Sequence, residues 1–137
     1  MNENVLPALM RDLKGFVYLQ PATKTQIETA ESCLGVQFSN DYKEYLFSYG
    51  VVAFLNREMT GICDSERLYV VSVTNKARQK IAGFPRDAYV IEELLIDDIV
   101  VIQKADGSVY TISPCHKEKG VSESLIEYLF PQKTESV

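Results

Sequence analysis

The sequence predicts an α+β fold in which an antiparallel sheet packs with N-terminal helices and one C-terminal helix. Apolar residues recur with helical spacing through the first 50 residues. From Gly83 onward they occur in short β-rich runs joined by turn residues, and an amphipathic segment follows them. Helices followed by a strand meander are typical of α+β domains with an antiparallel sheet.

Length and composition indicate one soluble globular domain. A chain of 137 residues can bury a real core, and 46% hydrophobic with 24% charged residues is ordinary for this class. We expect a single domain over 1–137, with its core in about 20–130 and a flexible polar tail at 132–137. No apolar run reaches the roughly 20 residues of a membrane helix, and no secretory signal is visible. A cytoplasmic location is therefore expected, without membrane contact.

The pattern of apolar residues assigns most of the chain to helices and strands. The predicted helices outside the hairpin described below cover 4–13, 70–80 and 121–130, and the predicted strands cover 51–55, 88–93, 99–104 and 108–113. Residues 16–22 are expected to be extended. Residues 56–67 are polar and irregular, with a short strand near 59–62 as the alternative. The 99–104 strand is apolar on both faces, so it should be central, and Ala105-Asp106-Gly107 predicts a hairpin after it.

A helical hairpin is predicted over residues 25–49. Thr25 and Glu28 are spaced as a capping box at its start, and Gly35 stands where a left-handed helix stop is needed. The apolar stripe of the first helix consists of Ile27, Ala30 and Leu34. Cys33, within this helix, is expected to be a small, mostly buried apolar residue.

The second helix of the hairpin follows a short extended link. Val36 and Phe38 are expected to point outward and inward in this link. Ser39 is a suitable N-cap, with Asp41 in the favourable first turn, and Gly50 ends the helix. Its helical stripe consists of Tyr42, Tyr45, Leu46 and Tyr49. We expect these tyrosines to be core residues whose hydroxyls reach the edge, rather than a recognition surface.

Residues typical of catalytic or metal chemistry are sparse in the sequence. Cys33, Cys63 and Cys115 are odd in number and widely spaced, which argues against a disulfide framework and a structural zinc site. The single histidine, His116, is expected in a solvated loop rather than as a general base. No phosphate-binding glycine loop or nucleophile motif occurs. We therefore expect no enzymatic activity, no bound metal and no cofactor.

The negative charge of the chain is concentrated in its second half. The net charge is −5, which disfavours direct nucleic-acid binding, and residues 86–106 contain six acids against two bases. Neighbouring acids on a strand point to opposite faces, so Glu92-Glu93 and Asp97-Asp98 do not predict a catalytic or metal-binding pair. Two interpretations remain open, namely a solvated rim that aids solubility and an electrostatic docking face for a basic partner.

Several motifs resemble those of the SUKH superfamily, the Smi/Knr-type domains, over about residues 20–130. The helical hairpin contains the most specific of them, which is an I-x-x-x-E-x-x-L-G helix from Ile27 to Gly35 followed by Asp41-Tyr42-Lys43-x-Tyr45-Leu46. Ser39 stands where the family commonly has proline. The weaker matches, in the family order, are Met59-Thr60-Gly61-Ile62, Val73-Thr74 to Arg78, Phe84-Pro85 to Ile91, Asp106-Gly107-x-Val109-Tyr110 and Ser124-Leu125 to Leu129.

This resemblance implies a non-enzymatic binding domain. Bacterial members recurrently act as immunity proteins that bind a toxin domain and block it, and many such toxins are nucleases with basic clefts. Eukaryotic relatives act as regulatory modules linked to cell-wall synthesis, which is the alternative function. A basic toxin would fit the acidic segment of this chain. The residues expected to form the partner-binding face are Asp64, Glu66, Glu92, Glu93, Asp97 and Asp98.

Overall fold

The computed structural model describes residues 5–131 and shows the predicted α+β fold. In this range the helices are α1 Val5–Arg11, α2 Lys24–Leu34, α3 Asn40–Tyr49, α4 Val70–Lys80 and α5 Leu125–Leu129. The strands are β1 Val17–Tyr18, β2 Val52–Phe54, β3 Arg57–Glu58, β4 Ala88–Glu93, β5 Val100–Lys104, β6 Val109–Ser113 and β7 His116–Ser122. None of these helices has the length and apolar character needed to cross a membrane. Residue 4, where the first helix was expected to begin, and the tail expected at 132–137 lie outside the described residues.

The strands form two antiparallel sheets that are joined by one bridge. The first sheet has the order β1-β2-β3, and the second has the order β4-β5-β6-β7. Met59, directly after β3, pairs with Glu92 of β4 and so connects the sheets. The predicted hairpin turn at 105–107 joins β5 to β6. β5 therefore lies between two strands, which confirms that it is central.

The second sheet separates two hydrophobic cores. The larger core contains the buried faces of α1, α2, α3 and α5, together with Tyr89 and Val101 from the sheet. The smaller core lies against α4, where Ala77 packs with Val90 and Ile102. Alternate residues of β4 and β5 thus face different cores, as the two-residue period of a strand requires. The bounds of α4 are those predicted from the sequence.

The helical hairpin forms with the predicted stops but with a different first cap. The hydroxyl of Thr23 accepts a hydrogen bond from the Gln26 amide at 3.1 Å, and the Gln26 side chain accepts one from the Thr23 amide at 2.9 Å. The capping box is therefore Thr23–Gln26, and the prediction of Thr25–Glu28 was wrong by two residues. Gly35 has the left-handed conformation expected of a helix stop, with φ of 68°.

Two predictions about side-chain burial in the hairpin were wrong. Val36 and Phe38 are both buried, because residues two apart in an extended link point to the same side. Cys33 is exposed, because it lies on α2 away from the buried stripe of Ile27 and Leu34. The link thus contributes two residues to the core, whereas Cys33 lies outside it.

The tyrosine stripe of α3 lies in the larger core, as predicted, but the expectation that its hydroxyls reach the edge was wrong, because they form buried hydrogen bonds. Tyr42 and Tyr45 are fully buried, and their hydroxyls bond the hydroxyl of Thr60 at 2.9 Å and its carbonyl oxygen at 2.6 Å. Tyr49 donates to the carbonyl oxygen of Pro7 at 2.7 Å, which ties α3 to α1. Burial raises the pKa of Tyr42 and of Tyr45 well above the usual 10. These rings hold the fold together and present no recognition surface.

The C-terminal part of the fold differs from the prediction. β7 occupies part of the segment that was predicted to be a helix over 121–130, so α5 is shorter and begins at Leu125. One carboxylate fixes the position of α5 on the core. Asp41, in the first turn of α3, accepts a hydrogen bond from the Leu125 amide at 2.7 Å and another from the Gln103 side chain at 3.1 Å.

Candidate functional site

The fold distributes the six predicted partner-binding acids over three places. Asp64 and Glu66 lie in the loop between β3 and α4, and Glu92 lies inside the protein near the end of β4. Glu93 is the last residue of β4, and Asp97 and Asp98 follow it in the connection from β4 to β5; we name residues 93–98 the 93–98 loop. The loop therefore gathers three of the six acids in one short segment, in which Asp97 and Asp98 are exposed and Glu93 is half-buried.

Glu92 is withdrawn from the surface. Its side chain is 3% exposed, and Arg57 donates to both of its carboxylate oxygens at 2.8 and 2.9 Å. The hydroxyl of Tyr128 donates to the same carboxylate at 2.6 Å. The bonds to Glu92 raise the pKa of the Arg57 guanidinium, which also lies 5.0 Å from the ring centroid of Phe54. The expectation that Glu92 forms part of a docking face is therefore not compatible with its burial.

The 93–98 loop has an unusual backbone. Leu95, Asp97 and Asp98 have φ values of 61°, 55° and 58°, in the left-handed region that residues other than glycine seldom adopt. The amide of Leu94 donates to the carbonyl oxygen of Ile99 at 3.1 Å, and the Ile99 amide donates back to Ile96 at 3.0 Å. These two bonds close the loop on itself between β4 and β5.

Neighbouring cations neutralise part of the acidic surface. Lys80 of α4 lies 3.6 Å from Asp98 across an exposed ion pair. Glu93 and Asp97, by contrast, make no ion pair with any residue in the described range 5–131. The carboxylates of the loop that make no ion pair in this range are therefore those of Glu93 and Asp97, which lie on either side of residues 94–96.

The loop between β3 and α4 borders the 93–98 loop through Arg67. Arg67 and its ion-pair partner Glu58 line a groove of about 320 Å³ together with Glu93 and Leu95. The hydrogen bond from Arg67 holds the pKa of the Glu58 carboxyl below its usual value of 4.5. Asp64 lines a different groove, beside Leu19 and Gln20, and so does not extend this surface.

Sequence reasoning missed three apolar residues at the tip of the 93–98 loop. Leu94, Leu95 and Ile96 are 37%, 87% and 59% exposed. The signal was present in the sequence, because E-E-L-L-I-D-D places three apolar residues at a strand connection, where polar turn residues are usual. The loop thus combines an apolar tip with flanking carboxylates.

The residues with nucleophilic or metal-binding side chains do not converge on a site. Cys115 lies in the turn from β6 to β7 and His116 is the first residue of β7, so the expected loop position of His116 was wrong, although its side chain is exposed. The amides of both residues donate to the Ser113 hydroxyl at 3.2 and 3.1 Å. Among residues 5–131, no group of three or more histidine, cysteine, aspartate or glutamate side chains has a geometry that could hold a metal ion. The 93–98 loop, which contains the most exposed large apolar side chain of the described residues, is therefore the candidate functional site.

Comparison with known proteins identifies the family of this fold. A crystal structure of a protein from Pseudomonas syringae pv. tomato superposes with a TM-score of 0.72 at 21% sequence identity, covering 89% of this chain and 91% of that one. This likeness shows that the two proteins share a fold. No curated protein matches the chain. The SUKH family model described as SMI1-KNR4 cell-wall matches residues 3–130, and the chain therefore belongs to the SUKH family.

Proposed function

We propose that this chain is a cytoplasmic immunity protein that binds a polymorphic toxin domain with a basic surface, such as a nuclease, and blocks it. Membership of the SUKH family supports a binding role without catalysis. The observation that carries the proposal is the 93–98 loop, in which the unpaired carboxylates of Glu93 and Asp97 flank three exposed apolar side chains. Adjacent exposed apolar side chains with a polar rim are typical of protein–protein interaction sites.

The charge of the loop supports a basic partner. Carboxylates that project from a rigid loop attract a cationic surface over distances of about 10 Å, and they accelerate encounter at low ionic strength. A nuclease presents cations where it holds the phosphates of its substrate. An acidic loop seated in that cleft would exclude the substrate electrostatically as well as sterically. This mechanism requires no chemistry from the immunity protein itself.

The test is neutralisation of a toxin domain encoded beside this gene. The C-terminal domain of a toxin in the adjacent upstream reading frame is expressed from an inducible promoter, with and without the present chain. We expect the chain to restore growth and to co-purify with the toxin domain in a stable complex. Growth arrest that persists despite folded chain in the cell, together with no complex in vitro, would contradict the proposal.

The cell-wall description of the matching family model favours a second candidate function. In this alternative the chain is an intracellular interaction module related to regulators of cell-wall synthesis. A gene located among cell-wall enzymes, together with a deletion strain that shows altered sensitivity to wall-active antibiotics, would support this alternative over immunity.

A further inference from the structure

Leu95 is the most exposed of the large apolar side chains in the described residues, at 87%. It also has a φ of 61°, which places its Cβ close to neighbouring backbone atoms and is unfavourable for a branched side chain. Glycine or asparagine would adopt this backbone with less strain. Both the exposure and the backbone of Leu95 therefore oppose folding stability, so the fold itself does not account for a leucine here.

The surroundings of Leu95 place it on a ridge between two grooves. On one side lie Arg67, Glu58 and Glu93, and on the other lie Lys80 and Val100. The backbone bonds that close the 93–98 loop hold this ridge in place, and the next residue, Ile96, is also exposed. The backbone that carries Leu95 is therefore held before it meets a partner, which reduces the backbone entropy lost on binding.

We propose that Leu95, supported by Ile96, is the hydrophobic anchor of the toxin-binding surface and enters an apolar pocket whose rim carries lysine or arginine side chains. This inference rests on the proposed function. We expect the pocket of the toxin to be apolar because the tip of the loop is apolar and exposed. We expect the rim of that pocket to be basic because the carboxylates of Glu93 and Asp97 lie on either side of the tip. The anchor determines how long the complex lasts, whereas the carboxylates determine how fast it forms.

The test uses Leu95→Gly, which removes the side chain and suits the left-handed backbone. The probe is a catalytically inactive form of the toxin domain encoded beside this gene, and its binding is measured by surface plasmon resonance at several salt concentrations. We expect the dissociation rate of the Leu95→Gly complex to rise at least tenfold. The association rate and its salt dependence should stay near those of the unaltered protein, and the melting temperature should not fall.

Leu55 provides a matched control because it is a second exposed leucine with a left-handed backbone. It is 54% exposed with a φ of 52°, and it lies in the β2–β3 turn, where its amide bonds Lys14. Leu55→Gly should leave the dissociation rate unchanged. The inference is overturned if Leu95→Gly dissociates no faster than the unaltered chain, if both variants lose affinity equally, or if Leu95→Gly markedly lowers the melting temperature. If the unaltered chain does not bind the toxin domain, the proposed function itself fails.

Discussion

Arg57 and Glu92 form a bidentate ion pair at the place where the two sheets meet. Arg57 belongs to β3 and Glu92 to β4, and the adjacent bridge from Met59 to Glu92 is the backbone connection between the sheets. Tyr128 donates to the same carboxylate from α5. Three separate parts of the chain are therefore joined through one buried carboxylate.

Removing the cation of this pair should destabilise the fold strongly. Arg57→Met leaves the Glu92 carboxylate buried without its partner, and we expect the free energy of unfolding to fall by about 3 kcal/mol. Replacing both residues, in Arg57→Met with Glu92→Leu, removes the buried charge altogether and should cost less than the sum of the two single variants. Urea denaturation of the unaltered protein, of Arg57→Met, of Glu92→Leu and of the double variant measures this coupling. Additive effects would mean that the pair contributes no mutual stabilisation.

Gly61 is predicted to tolerate no side chain. A Cβ at this position would lie 1.7 Å from the carbonyl oxygen of Gly50, and the Gly61 backbone also bonds Leu68 and Val70. We expect Gly61→Ala to give little folded protein, because two backbone segments would have to separate. The control is Gly35→Ala, where φ is 68° but the space is open, so the loss should be only about 1 kcal/mol. Circular dichroism and thermal melting distinguish the two outcomes.

The Glu58–Arg67 pair should contribute a small stabilisation that depends on pH. Because the folded-state pKa of Glu58 is lowered from 4.5, this contribution is fully present above pH 4.5 and is lost as the pH falls through the lowered pKa. Glu58→Gln should therefore have a lower urea midpoint than the unaltered protein at pH 7, and the difference should disappear in acid. Glu66→Gln, which alters an exposed acid of the neighbouring loop, serves as the control. If the urea midpoints of Glu58→Gln and of the unaltered protein still differ at low pH, this account is contradicted.

Reversing the charge at Asp97 should slow association with a basic toxin. Asp97 makes no ion pair within residues 5–131, so Asp97→Lys changes the charge of the loop without freeing a neighbouring cation. We expect the association rate at low salt to fall about tenfold and its salt dependence to flatten. Glu28→Lys, on the exposed side of α2, makes the same change in net charge at another place. Equal slowing in both variants would assign the effect to net charge rather than to the 93–98 loop.

The sequence predicted best those elements whose signals are local. The Gly35 stop, the Ser39 cap and the bounds of α4 follow from nearby residues. The cap of α2 was misplaced because Thr23 and Thr25 both have a suitable partner three residues later, so the local signal fits two starts. β7 could not be predicted from periodicity, because this edge strand is exposed along most of its length and shows no apolar alternation.

The site was predicted less completely than the fold because it depends on contacts distant in sequence. Glu92 and Glu93 are adjacent glutamates, and the buried one is the one whose carboxylate accepts hydrogen bonds from Arg57 and Tyr128, which are both distant in sequence. The three apolar residues at 94–96 were visible in the sequence but were not recognised as exposed. Their exposure accompanies a left-handed turn, which a leucine such as Leu95 does not by itself favour.

The backbone hydrogen bonds of Leu94 and Ile99 close the 93–98 loop, so its tip forms a small unit between β4 and β5. The Leu94 and Ile99 amides bond within the loop, and the packed residues of β4 and β5 lie on either side of it. Residues 94–98 are exposed, so their exchange for other residues would leave the packed side chains of β4 and β5 in place. Under the proposed function, exchanging these residues between two relatives of this fold would exchange their partners as well.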